Sequence, residues 1–469
     1  THRLAKAADE WFDRAGESSR QQQVARYESL VTQVKAESLA VHARYGAAAL
    51  REKTKAFAAA LNAPNLQEAI ARFGQLRDHR GPVLSSQSEL RCKMALRLVS
   101  WLTQTTGSLP SALNVLAEQY RNEIAWVDWA QTVLLEGDDS AELANAYGRL
   151  RESVFSRRDV FDRHFAEALA NEKPNGTSLI PIEEALDKCV APIAVAGRTL
   201  LIVVDGMSIP VFLELHHSLK DHGWVQFERS SGACSTLLAM LPSTTEASRT
   251  SLLCGTACTG SASTERSAFG AFAPLVAPSV AGKPPVIFHK RDLLDASGVT
   301  LSDDLRTALS DTRQRVVAVV INAVDDHLMK SDQLRLRWEL AQFKGLDALL
   351  AEARSSDRTV IFTSDHGHVL DQDSVMQGSC PNARWREPNL ESYPGEIVLK
   401  GPRIMAASGM EKVILAWSSK LRYASKRNGY HGGCAASEAL VPIVAYRYGT
   451  KASDGWLPRD EDTPEWWLA

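Results

Sequence analysis

The chain has 469 residues, 45% of them hydrophobic and 23% charged. At roughly 100–200 residues per domain this length implies about two to four domains and excludes a single small module, while the composition excludes an intrinsically disordered chain. With 53 basic against 56 acidic side chains the net charge is −3, so there is no global basic field for a polyanion, and any nucleic-acid contact has to be local.

Seven cysteines (Cys92, Cys189, Cys234, Cys254, Cys258, Cys380 and Cys434) are odd in number and show no CxxC spacing. That pattern fits neither a disulfide framework nor a zinc ribbon and predicts reduced, mostly buried thiols. The longest uninterrupted apolar run, Val316 to Ile321, has a strand's length and is too short to span a bilayer. No secretory leader opens the chain, and a cytoplasmic, membrane-free protein is expected. The sequence begins at Thr1 without methionine, which reads as a piece whose true start lies upstream.

Helix periodicity runs through the first part of the chain. Val24, Tyr27, Val31 and Val34 form one apolar stripe. Leu90, Met94, Leu98 and Trp101 form a second, opened by Ser86 and Glu89 at capping-box spacing, and Leu113, Leu116, Tyr120, Ile124 and Val127 form a third. These stripes predict an all-helical domain over residues 1–175 whose faces are core. The turn-rich segment Asn171 to Thr177 marks its end.

The composition then changes. Short β-rich runs at Thr199–Val204, Val225–Phe227, Val286–Phe288, Val316–Ile321, Thr359–Thr363 and Val413–Trp417 alternate with helical stretches, one carrying Leu336, Leu340, Phe343 and Leu350 on one face. The alternation predicts an α/β domain over 176–450 with a mainly parallel sheet, its ligands outside the carboxyl ends of the strands. A tail, 451–469, is acidic and carries Trp466 and Trp467, suited to docking on the helical domain or on a partner.

Three of the runs end in acid. Asp205 follows Leu201–Val204, Asp325 and Asp326 with His327 follow the run through Ile321, and Asp365, His366 and His368 follow Val360–Phe362. Each alone is an ordinary turn residue; together they converge carboxylates and imidazoles of the kind that hold zinc, manganese or iron. His431, in a glycine-rich turn, adds a donor. Between the first two runs lies Leu241-Pro-Ser-Thr-Thr245-Glu-Ala-Ser-Arg249, where Ser243 and Glu246 have capping-box spacing ahead of an apolar helical turn stopped by Gly255. A hydroxyl at a helix N-terminus faces the positive end of the dipole, a place for a phosphate and for a nucleophile activated by a nearby cation. Near His431, Lys420, Arg422, Lys426 and Arg427 interleave with Tyr423 and Tyr430, a pattern that suits a nucleic-acid backbone and its bases, or simply a solvated basic loop.

The ordered set VVDGMS, LPSTTEASRTSLLCG, NAVDDHL, TSDHGH and YHGG resembles the PglZ family of BREX phage-defence systems, of the type-2 kind, within the alkaline phosphatase superfamily, over about Thr199 to Tyr448. The resemblance implies an alkaline phosphatase-like catalytic domain and two divalent metal ions, zinc or else manganese. Carried over position by position, it makes Asp205, Asp365 and His366 ligands of one metal, bridged towards Thr245 as nucleophile, with Asp325, His327 and His431 holding the other. Two departures stand out. Asp325-Asp326-His327-Leu lacks the gap and glycine of the superfamily's second segment, so either aspartate fits and His327 could point away, and His368 is an extra histidine that could ligate or merely pack. The choice of Thr245 over Thr244 or Ser243 comes from the resemblance alone. Arg249 is either a bidentate phosphate contact or a helix-surface residue or ion-pair partner.

The function implied is a metal-dependent phosphohydrolase, a phosphodiesterase or nuclease-like enzyme with a threonine nucleophile, working with other BREX proteins, a DNA methyltransferase among them. Two alternatives use the same fold. One is a scaffold for a DNA-modifying partner with a structural or vestigial metal site, and the other is phosphoryl transfer of the phosphoglycerate mutase kind. The intact ligand set with its hydroxyl favours catalysis, and the large helical part argues against a self-contained mutase.

Overall fold

The computed structural model describes residues 2–34, 43–62, 65–80, 84–104, 107–172, 179–229, 236–329, 337–378, 380–389, 393–449, 455–459 and 462–468. Contacts divide the chain into two units. One comprises Thr1–Gly107, Trp126–Arg158 and Thr463–Ala469, the other Ser108–Ala125 and Asp159–Asp462.

The first unit is helical, with α1 (His2–Arg14), α2 (Glu17–Gln33), α3 (Ala47–Leu61), α4 (Leu66–Arg77) and α5 (Ser86–Thr103) followed by the helix Ala125–Leu134 and the start of the long helix Ala141–Asn171. Met94, Leu98 and Trp101 of the second predicted stripe are buried. The cap of α5 differs from expectation: Ser85, one residue earlier, accepts the Ser88 amide, so Ser86 already lies inside the helix. The third stripe is buried throughout but runs through three elements, a helix Leu113–Gln119, a π-turn Tyr120–Ile124 and the helix from Ala125. The tail tryptophans belong to this unit, where Trp467 stacks on Trp129 at 5.0 Å, meets Trp126 edge-on at 4.8 Å, and lies under the Arg97 guanidinium at 4.0 Å.

The division by contacts falls elsewhere than the expected boundary at 171–177, of which 173–177 lie outside the described residues. The C-terminal half of the long helix belongs to the second unit because its acids serve that unit's loops. Asp159 accepts from Ser418 Oγ at 3.0 Å, and Asp162 accepts from the Ala436 amide at 3.1 Å.

The second unit is built on a nine-stranded sheet among the described residues. Strands β1 (Ile180–Pro181), β2 (Thr199–Val204), β3 (Trp224–Arg229), β4 (Thr236–Leu238), β5 (Val286–Phe288), β6 (Val316–Ile321) and β7 (Thr359–Thr363) are joined by the long strand Leu440–Tyr448 and the short strand Trp456–Pro458. The order runs β1, β4, Leu440–Tyr448, β7, β2, β6, β5. Pairs β5–β6, β6–β2 and β2–β7 are parallel; Leu440–Tyr448 runs antiparallel to β7, β4 and β3. Strands β2 and β6 are buried on both faces, as their unbroken apolar runs require. Leu200, Ile202 and Val204 point into one core layer and Leu201 and Val203 into the other.

Three expectations are corrected here. The run Val413–Trp417 does form a strand, Lys412–Ala416, but in a separate three-stranded antiparallel sheet. The single helix expected through Leu340, Phe343 and Leu350 is a 3-10 turn, Leu340–Gln342, followed by a helix, Leu346–Ser355, because Gly345 sits at φ 81° between them; Leu336 lies outside the described residues. Cys189 is disulfide-bonded while Cys92, Cys254, Cys258, Cys380 and Cys434 are free. Linear spacing cannot show which sulfurs the fold brings within bonding reach. No described helix is long and apolar enough to cross a membrane.

Candidate active site

Adjacent parallel strands β7, β2 and β6 end side by side, so the residues just past them share one crevice. Asp205 leaves β2 with its amide on Ile321 O at 2.8 Å. Asp365 follows β7, anchored by Ser364 Oγ donating to Val204 O at 2.7 Å and Ser248 Oγ donating to Asp365 O at 2.6 Å. One oxygen of Asp365, Oδ1, accepts the amides of Gly206 (3.1 Å) and His366 (3.0 Å). Its other oxygen, Oδ2, is buried with no hydrogen-bond donor. Gly367 permits the tight turn between the two histidines, since a Cβ there would stand 1.9 Å from Ser437 O.

Helix Thr245–Cys254 brings the hydroxyl. Its N-cap is Thr244, without a side-chain cap bond. The expected capping box at Ser243 does not form, because Ser243 Oγ instead donates to Gly433 O at 2.9 Å and accepts the Gly432 amide at 3.1 Å, fixing the loop that carries His431. Thr245, first in the helix, donates to Asp205 Oδ1 at 3.3 Å and stands 3.0 Å from His366 Nε2. Asp205, Asp365 and His366 each offer one ligand atom, all within 4.8 Å of one another.

Beside this group lie Asp325 and His431. His431 Nε2 is 3.4 Å from Asp325 Oδ1, its Nδ1 is 3.2 Å from Ser243 O, and its ring stacks on His366 at 4.2 Å. Apart from this contact with His431, Asp325 Oδ1 is buried without a hydrogen-bond donor. Asp326 turns outward to Lys290, 2.7 Å away, so of the two aspartates only Asp325 faces the crevice. His327 is not brought into the group. It shares the short helix Ala323–Leu328 with Asp325, and two residues of an α-helix point about 200° apart; its ring stands edge-on to Trp338 at 5.7 Å. His368 takes the inward place, its Nδ1 2.7 Å from Gly206 O and its ring subject to the charges of His366, His431 and Asp325.

The electrostatics are those of a site built for positive charge. Burial and the nearby Asp365 push the Asp205 carboxyl up, and burial raises Asp365 against the pull of Arg249. Burial lowers His366 and His368 to about 4. His431 alone rises, to about 9, because Asp325 beside it outweighs its burial. The buried, donor-free Oδ2 of Asp365 beside the neutral imidazole of His366 and the carboxylate of Asp205 is the donor set that a divalent cation satisfies. Asp205, Asp365 and His366 fit one such ion.

Arg249 takes the ion-pair form of its two expected roles. Its Nη1 donates to Asp205 Oδ2 at 2.8 Å and its Nε to Glu265 Oε1 at 3.1 Å. Asn322 Nδ2 also donates to Asp205 Oδ2, at 2.7 Å. Sequence reasoning missed Asn322 and Glu265. Asn322 had a signal, as the first residue past β6; Glu265, on another helix, had none. The basic segment near His431 loses its aromatic half: Tyr423 and Tyr430 are buried, with hydroxyls on Glu396 and Asp371, so neither ring can stack on a base. Lys420 and Arg422 hold the carbonyls of Gln372 and Ser374.

Comparison with known proteins bears on the same residues. The family described as the BREX system PglZ alkaline phosphatase-like domain matches residues 185–446. No curated protein matches the sequence. Among solved structures, phosphonoacetate hydrolase from Sinorhizobium meliloti in complex with phosphonoacetate is similar at 12% identity and a TM-score of 0.34, over 53% of this chain and 90% of that one. Murine ectonucleotide pyrophosphatase/phosphodiesterase 5 is similar at 11% identity and a TM-score of 0.35, over 53% and 87%. The matched segment runs from just before β2 to near the end of strand Leu440–Tyr448, more than half of the chain, and takes in every residue of the crevice; the chain belongs to the PglZ family.

Proposed function

We propose that this protein is a metal-dependent phosphohydrolase acting on phosphodiesters, with Thr245 as its nucleophile. The observation that carries the reading is the position of Thr245 Oγ1, at the first residue of a helix and within 3.3 Å of both Asp205 and His366. Asp205, Asp365 and His366 would hold one divalent cation and Asp325, His431 and His368 a second, zinc or manganese by their donor types. Bound there, such ions supply the positive charge that makes a hydroxyl acidic and neutralises phosphoryl oxygens.

The chain's own part follows from the geometry. The Thr245 hydroxyl gives its proton to solvent water, and its Oγ1 is held by the first turn of the helix against Asp205 and His366. It bonds to phosphorus as the ester bond on the opposite side breaks, the departing alkoxide takes a proton from solvent to leave as the alcohol, and water then cleaves the resulting phosphothreonine to phosphate monoester and free threonine. The buried faces of Asp205, Asp365 and His366 exclude water from the nucleophile's inner side. In the BREX setting of its family we place the enzyme, of the type-2 kind, beside other BREX proteins, a DNA methyltransferase among them.

Hydrolysis of bis(p-nitrophenyl) phosphate by the zinc-loaded full chain tests this. Thr245→Ala should keep the cations and lose turnover, and Thr245→Ser should retain part of it. Full turnover in Thr245→Ala would refute the covalent route, and a wild-type chain that binds no zinc or manganese would refute metal dependence itself.

A further inference from the structure

We infer that Glu265 is a positioning residue, which holds Arg249 so that Asp205 presents Oδ1, and not Oδ2, to the candidate cation position, with His289 fixing Glu265 from behind. The inference rests on the cation-binding reading above.

The chain of contacts is continuous. Asp205 Oδ2 accepts two donors, Arg249 Nη1 at 2.8 Å and Asn322 Nδ2 at 2.7 Å, which leaves Oδ1 towards Thr245 and His366. Arg249 is set by Glu265, whose Oε1 accepts both Arg249 Nε and Thr250 Oγ1, each at 3.1 Å. The second oxygen, Oε2, lies 2.6 Å from His289 Nε2. A carboxylate only accepts, so that ring nitrogen carries the proton. His289, directly after β5, is itself tied down, its amide donating to Asp292 Oδ2 at 3.1 Å while Arg266 Nη2 reaches the same oxygen at 2.7 Å. Glu265 has no solvent exposure.

Only an acceptor on both oxygens can take these three donors at once, and a glutamine in its place would turn an N–H towards one of them. Charge gives the second reason. With Glu265 present, the Arg249 cation is hydrogen-bonded to two carboxylates; without it, Asp205 is the one carboxylate left bonded to the guanidinium and must be drawn from it before it can ligate an ion. Groups that orient a ligand from outside in this way typically cost 10–100-fold in metal affinity when altered.

The test uses the full chain and Zn²⁺ alone, with affinity measured by competition against a chromophoric chelator at a temperature where every variant is folded. Glu265→Gln and His289→Ala should each weaken Zn²⁺ binding by about 10-fold or more. His289→Gln, whose amide can still donate to Glu265, should recover part of the loss. In an Arg249→Ala background Glu265→Gln should change the affinity by less than about twofold, since the residue acts through Arg249. Wild-type affinity in folded Glu265→Gln, or losses that simply multiply in the double variant, would overturn the inference. If Glu265→Gln does not fold, His289→Ala and its glutamine counterpart, at the outer end of the chain of contacts, decide. A wild-type chain without Zn²⁺ affinity would instead remove the reading beneath.

Discussion

Gly367 separates the two inward histidines, and its replacement by alanine tests the site without touching a ligand. The added Cβ would lie 1.9 Å from Ser437 O, 3.0 Å from Ser437 C and 3.2 Å from Ser208 Cα, all backbone atoms that no rotamer change can clear. A carbon–oxygen contact needs about 3.3 Å, so the two segments must part by more than about 1 Å. They are also joined by the Gly367 amide on Glu438 O at 3.0 Å, a bond such a movement breaks. Overpacking at about 1–3 kcal/mol and a lost buried hydrogen bond at about 1–3 kcal/mol predict a destabilisation of roughly 2–6 kcal/mol. Urea unfolding of Gly367→Ala should show it as a lowered midpoint, with Zn²⁺ affinity falling in parallel because His366 and His368 move. Gly197→Ala is the control, since nothing stands within 4 Å of its Cβ and its backbone is extended at φ −164°; it should change stability by no more than about 0.5 kcal/mol. Equal midpoints for the two variants would refute the close approach and the argument built on it.

Asp365→Asn keeps the acceptor for the Gly206 and His366 amides but removes a charge that burial disfavours, so the cation-free chain should be no less stable while Zn²⁺ affinity falls by more than about 100-fold, beyond what losing an outer-shell group costs; unchanged affinity in a chelator competition would take Asp365 out of the ligand set. Trp467→Ala empties the space between Trp126, Trp129 and Arg97 and should destabilise the helical unit by about 3–5 kcal/mol, read as an early transition in thermal unfolding; an unchanged melting curve would refute that packing. His79 is buried beside Lys53, with both ring nitrogens lacking partners, and burial and that charge lower it to about 4. The folded chain therefore resists the proton that the unfolded chain accepts below pH 6.5, so stability is full above 6.5, falls as pH drops to about 4 by at most roughly 3 kcal/mol, and then levels. His79→Leu should flatten that segment of a pH–stability curve; an identical slope in the variant would show that another group is responsible.

Much of the sheet was legible because its central strands are buried on both faces. Thr199–Val204, Val316–Ile321 and Thr359–Thr363 are unbroken apolar runs that suit no amphipathic helix of their length, and their ends in the chain are their ends in the fold. An acid or histidine immediately past such a run enters the crevice by the geometry of a parallel sheet, which is why Asp205, Asp365 and His366 could be named from the residues and the resemblance together. Local chemistry stopped being enough where the chain leaves the strand. Whether Asp325 or Asp326 faces inward, and whether His327 or His368 does, depends on the chain turning helical after β6 and staying non-helical after β7. Ser243 looked like a cap and became a clamp on the His431 loop, because its true partners, Gly432 and Gly433, are nearly two hundred residues away. Tyr423 and Tyr430 read as surface aromatics until Glu396 and Asp371 gave their hydroxyls buried partners. Glu265 and His289 carry no mark in the linear sequence at all. Periodicity and composition report which face of an element is apolar, whereas the aim of a single carboxylate is set by donors arriving from other elements, and only the tertiary structure brings Asn322, Arg249, Glu265 and His289 into one line behind Asp205.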